Sequence, residues 1–83
     1  MQDIHEKIQV FARSYKGTVR PLQFIWRNQQ YNIIDILKSK KQKVGRRVFF
    51  YFTVTTLPEG TFELEFDLKT GQWLLLRASV SSS

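Results

Sequence analysis

Apolar side chains recur at every second position over short stretches of this chain, the spacing at which residues line one face of an extended strand. The clearest case is Phe62, Leu64, Phe66 and Leu68, interleaved with Glu63, Glu65 and Asp67. Such strict alternation predicts a half-buried strand with one core face and one solvent face. Val48 to Thr56 predicts another, with Val48, Phe50, Phe52 and Val54 on an apolar face and Phe49, Tyr51, Thr53 and Thr55 on a mixed one. Nearer the start, Ile8, Val10 and Ala12 alternate with Gln9, Phe11 and Arg13 in a first strand that Lys16-Gly17 ends. Leu22, Phe24 and Trp26 share one face of the second strand. That strand opens at Pro21, whose fixed φ and missing donor suit a strand start or edge.

Turn residues punctuate these runs. Arg27-Asn28-Gln29-Gln30 reverses the chain, since Asn tolerates the left-handed conformation of tight hairpins, so Tyr31 to Leu37 pairs back as a third strand. Lys38 to Gly45 reads as a polar loop, and Leu57-Pro58-Glu59-Gly60 as the next turn. Lys69-Thr70-Gly71 predicts a three-residue hairpin loop with Gly71 at its positive φ, after which Trp73 to Ala78 returns as the last strand. Residues 1–6 and 79–83 are expected to fray. Together these elements predict an all-β fold, a small antiparallel meander of about six strands, as one domain over residues 1–83.

Register adds detail, because a slip of one residue moves every side chain to the opposite face. With Val54 facing Phe62 and Phe66 facing Leu74, the core side carries Phe50, Phe52, Val54, Phe62, Leu64, Phe66, Leu74 and Leu76. The other side then sets Glu63 between Thr53 and Arg77, Glu65 between Tyr51 and Leu75, and Asp67 between Phe49 and Trp73. A flat sheet would leave Phe49, Tyr51, Trp73 and Leu75 in water, which predicts a strongly coiled, barrel-like roll or a dimer across that face.

At 83 residues the chain has room for one domain with a simple core. It contains no cysteine, which excludes a disulfide framework, a zinc–thiolate site and a thiol nucleophile, and points to a reducing, cytoplasmic setting. Met1 to Val10 carries Asp3 and Glu6 and does not read as a signal peptide. The apolar run Val48 to Val54 is far short of the roughly 20 residues that span a bilayer.

Catalytic constellations are not assembled by the sequence. His5 is the single histidine, and Ser39 and Thr70 lack the partners of an activated nucleophile. Glu63, Glu65 and Asp67 line one strand face at steps of about 7 Å, where solvation or pairing with Arg77 accounts for them more simply than acid–base chemistry. The expectation is a non-enzymatic protein with no cofactor, no metal and no small-molecule substrate.

Charge changes the picture most. The net charge is +6, and between Arg13 and Arg47 ten basic residues face one acid, Asp35. Clustered cations of this kind fit a polyanion such as DNA or RNA, although a merely solvated loop would have the same composition. The residues expected to meet phosphates are Lys38, Lys40, Lys41, Lys43, Arg46 and Arg47, with Phe49, Tyr51 or Trp73 as stacking surfaces for bases. The alternative is a protein-docking or homodimer face built from Phe49, Tyr51, Trp73, Leu75 and Arg77.

Two segments carry a resemblance. Pro21-Leu22-Gln23-Phe24-Ile25-Trp26-Arg27 followed by Tyr31 is one, and Phe62-Glu63-Leu64 followed by Asp67 to Arg77 is the other. They resemble the bacterial family known as domain of unknown function 6504, with its Pro-x-x-Phe-x-Trp-Arg-Gly-x-x-Tyr hairpin and its Asp-x-x-Thr-Gly-x-Trp-x-Leu-x-Arg turn. The likeness covers Val19 to Arg77. Asn28 stands in place of the usual glycine, and Lys38 to Arg47 replaces a tryptophan-rich middle. Similar segments end some catalytically inactive relatives of Y-family DNA polymerases, so the resemblance implies a DNA-repair context and a DNA-repair protein as a partner, with no activity attached.

Overall fold

The computed structural model describes residues 1–80. It contains six strands: β1 (Gln2–Tyr15), β2 (Thr18–Trp26), β3 (Gln29–Val44), β4 (Arg47–Leu57), β5 (Gly60–Asp67) and β6 (Gln72–Val80). Each pairs antiparallel with the next, and β6 pairs back onto β1 to close a barrel. No helix is long and apolar enough to cross a membrane among the described residues.

Three two-residue turns set the hairpin registers. Lys16 and Gly17 have φ of 48° and 79°, and Arg27 and Asn28 have 51° and 64°, a pair of left-handed residues whose twist matches that of the flanking strands. Between β3 and β4 only the first turn residue is left-handed, at φ 62°, and Gly45 fills that position without a Cβ penalty. The Thr56 hydroxyl, itself buried, donates to the Pro58 carbonyl at 2.7 Å and steadies the β4–β5 turn.

Closure depends on divided strands. β1 gives Gln2–Ile8 to β6 and Gln9–Tyr15 to β2, and it bends at a bulge beside His5, whose φ is 55°. β3 is divided too, but unequally: Gln29–Asn32 pairs with β2, whereas Asn32–Val44 pairs with β4. The β2–β3 seam is therefore zipped only at one end. Beyond it, Thr18 and Val19 lie across a slot from Ser39, Lys40 and Lys41, with Phe50 and Phe52 as its floor.

The core is mostly aromatic. At the zipped end Phe24, Tyr31 and Phe62 meet with ring centroids 4.9 to 5.2 Å apart, and Trp26 joins them edge-on to Phe62 at 5.9 Å. Toward the slot, Phe66 and Phe52 flank Trp73 at 4.7 and 5.9 Å. Val54, Leu64 and Leu75 are fully buried between the two groups.

Several sequence expectations shift. The segment Lys38–Val44 is strand and not loop, because the first half of β4 would otherwise lack a partner on that side. The chain start, expected as a loose end, is placed in strand: Gln2, Asp3 and Glu6 pair with β6, which itself runs to Val80, while 81–83 lie outside the described residues. Four residues, not three, separate the paired Asp67 and Gln72, and Gly71 N–H donates to the Asp67 carbonyl at 2.8 Å. The added residue slips the start of β6 by one position. Phe66 faces Trp73, so Trp73 and Leu75 enter the core and Leu74 and Leu76 turn outward. A bulge at Leu76 then restores the expected Glu63–Arg77 pair. A second bulge at Leu22 turns Pro21 inward and leaves Leu22 on the surface.

Gly60 is needed for space rather than for its φ. A Cβ there would lie 2.7 Å from Cε2 of the fully buried Phe62 ring. Gly60→Ala should destabilise the domain by about 1–3 kcal/mol, seen as a lower midpoint in urea at unchanged slope, because the buried ring must shift against its core neighbours to make room.

Candidate nucleic-acid interface

The β3–β4 ribbon carries the predicted cations, and its pairing decides which way each points. Lys38 lies opposite Thr53 and Lys40 opposite Tyr51, on the outer face. Lys41 lies opposite Phe50 and Lys43 opposite Val48, on the face that continues the core. Lys41 Nζ stands 5.9 Å from the centre of the Phe50 ring, at the slot. Arg46 sits in the turn. The six residues are thus brought to one arm of the molecule, on two faces and a tip.

Arg47 is drawn elsewhere. Its guanidinium pairs with the Asp67 carboxylate and lies 5.1 Å from the Phe49 ring centre. Burial pushes the Asp67 carboxyl up, but the Arg47 hydrogen bond and the amides of Lys69 and Thr70 outweigh it and hold the group below the ordinary aspartate value. At the zipped end of the barrel, Glu6 accepts from Arg27 and from the Trp26 indole N–H, both at 3.0 Å, and the Arg27 guanidinium stacks 4.5 Å from the Trp26 ring centre. The Arg27 and Trp26 hydrogen bonds hold the Glu6 carboxyl low. Arg77 bridges Asp3 at 3.3 Å and Glu63 at 3.6 Å.

Those three arginines take up four of the seven acids. Ten of the thirteen lysines and arginines, which is thirteen less these three, have no acid within ion-pair distance among the described residues. Lys38, Lys40, Lys41, Lys43 and Arg46 belong to the β3–β4 ribbon, and Lys69 to the β5–β6 turn. Arg13, Lys16 and Arg20 belong to the β1–β2 hairpin, whose turn lies at the same end of the meander. Sequence reasoning did not nominate these last three, although they fall within the basic stretch it counted.

The five residues of the alternative docking face do not share one exposed surface. Trp73 and Leu75 are in the core, and Arg77 is held by Asp3 and Glu63. Phe49 and Tyr51 remain half-buried on the outer wall with ring centres 6.5 Å apart. Burial, then the neighbouring Glu65, pushes the Tyr51 phenol up. This wall forms a shallow groove of about 440 Å³ in which Lys7, Glu65 and Leu74 join Phe49 and the Arg47–Asp67 pair. No set of three His, Asp or Glu side chains among the described residues gathers to hold a metal.

A family model described as domain of unknown function (DUF6504) matches residues 1–79. The chain belongs to the DUF6504 family. No curated protein and no solved structure matches it. In this DUF6504 domain, Trp26-Arg27 forms the stacked pair that grips Glu6 of β1, and Asp67 to Gly71 forms the turn that Asp67 caps through the Lys69 amide at 2.9 Å.

The lowered Asp67 carboxyl fixes the sign of an acid dependence. A group held below its unfolded value stabilises the fold above that value, and the gain is lost as pH falls through the folded-state pKa. Asp67→Asn should therefore lower stability at neutral pH and flatten the decline below the ordinary aspartate value of 3.8, as read by thermal melts across an acid series.

Proposed function

We propose that this DUF6504 domain is a non-enzymatic accessory module that binds nucleic acid through the turn end of its hairpins. The observation that carries this reading is the separation of charge. Arg27, Arg47 and Arg77 engage Glu6, Asp67, Asp3 and Glu63, and, Arg47 apart, the cations on the three hairpins at the turn end are left without acid partners among the described residues. Free lysines and arginines release condensed counterions when they meet phosphates, and that release drives association with DNA or RNA. Cations on two faces and the tip of one ribbon suit a ligand that wraps around an arm rather than one that fills a cleft. A cytoplasmic setting accords with the absence of cysteine, and a DNA-repair protein as neighbour with the family resemblance. The rival reading, a protein-docking or homodimer face, loses its apolar anchors with Trp73 and Leu75 in the core.

Fluorescence anisotropy of labelled single-stranded and duplex oligonucleotides across a salt series tests the proposal. Affinity should fall with salt, with a log–log slope of about −0.7 per phosphate contact on single strands. Replacing Lys40, Lys41 and Lys43 by Gln should make that slope shallower by about 2. Absence of binding at low salt, or binding that salt does not weaken, would overturn the reading.

A further inference from the structure

The β1–β2 hairpin has an outer face that the barrel itself does not use. Phe11, Arg13 and Tyr15 alternate along β1 and point the same way, at steps of about 7 Å, opposite Gln23, Arg20 and Thr18 of β2. The face thus presents a ring, a pair of arginines and a second ring in line. Phe11 is 44% exposed and Tyr15 67%, in contrast to Phe24 and Phe62, which are fully enclosed. Neither exposed ring stacks on another aromatic among the described residues, and Lys16 Nζ lies 5.4 Å from the Tyr15 ring centre. Two large apolar rings are left in water with cations beside them.

The arginines supply an independent sign. Arg13 and Arg20 are direct cross-strand partners, an arrangement of like charges that weakens a sheet. No acid pairs with either among the described residues. An anion seated between the two guanidiniums would relieve their repulsion and accept charge-assisted hydrogen bonds from both.

We propose that this outer face is a platform for single-stranded nucleic acid, with bases stacked on Phe11 and Tyr15 and a phosphate held between Arg13 and Arg20. The inference rests on the nucleic-acid reading above and adds the strandedness and the residues. Stacking requires an unpaired base, because duplex bases already stack on one another, so a duplex meets only the cations. Lys16 and the nearby ribbon lysines then follow the backbone on either side.

The test compares a short oligothymidylate, a base-free deoxyribose-phosphate strand of equal length and a duplex of equal charge. The wild-type domain should bind oligothymidylate tightest. Phe11→Ala with Tyr15→Ala should weaken oligothymidylate binding by about tenfold for each ring lost, leave the salt slope unchanged and leave the base-free strand unaffected. Tyr15→Phe keeps the ring and should keep the affinity, which separates stacking from any disturbance of the hairpin. Arg13→Gln with Arg20→Gln should instead make the salt slope shallower by about 0.7 to 1.4. If the base-free strand or the duplex binds as tightly as oligothymidylate, or the alanine pair binds as the wild type does, the platform is refuted while the broader polyanion reading stands. If none of the three ligands binds, both fall.

Discussion

Six strands close into this barrel because β1 serves two neighbours in succession. A sheet closes on itself only when its strands tilt and stagger, so that each strand leaves one partner and meets the next along its length. β1 does this with 14 residues, bending near His5 as it passes from β6 to β2. β3 is longer, at 16 residues, but beyond Asn32 its β2-side edge finds no second partner, and it continues paired with β4 alone. The result is a closed aromatic body with two hairpin arms running past it. The body needs its aromatic residues inside, and the arms are where side chains with no place in the core accumulate.

Charge follows the same division. Arg47 steadies the buried Asp67, but exposed ion pairs such as those of Arg27 and Arg77 contribute little to stability, about 0–1 kcal/mol each, so these three arginines are not chiefly what holds the barrel together. Their greater effect is on the electric field. By occupying Asp3, Glu6, Glu63 and Asp67 they leave few acids to offset the lysines and arginines of the arms. The net charge of +6 therefore understates how positive one end of the molecule is.

How much of this could be read from residues alone depended on the range of the interaction. The alternation of Phe62 to Phe66 and of Val48 to Val54 is local, and both strands lie where that pattern sets them, but β5 ends at Asp67, which is buried, and Leu68 is exposed. The reversal after Trp26 lies where Asn28 marks it, but it takes only Arg27 and Asn28, and the expected turn residues Gln29 and Gln30 already belong to β3. Lys38 to Lys43 shows no alternation of its own and becomes strand because β4 needs a partner, which is not a local property. Trp73 faces the core, against the expectation from register, because a loop one residue longer reverses every side chain up to the Leu76 bulge. The opposition of Arg13 and Arg20 follows from the turn at Lys16-Gly17, since a two-residue reversal there sets Tyr15 opposite Thr18 and each earlier residue accordingly. The contact of β1 with β6, nearly the full chain apart, had no local signal.

The unpaired side of β3 has a further consequence. A strand edge with free backbone donors and acceptors is a template on which another strand can grow, and natural sheets block such growth with lysine. Between Ile33 and Val44 the exposed backbone of β3 carries Lys38, Lys40, Lys41 and Lys43, so two copies meeting edge to edge would bring lysine against lysine. The same residues that give the arm its attraction for polyanions also keep one molecule from extending the sheet of the next. Ions that mask those ammonium groups would lift that mutual exclusion.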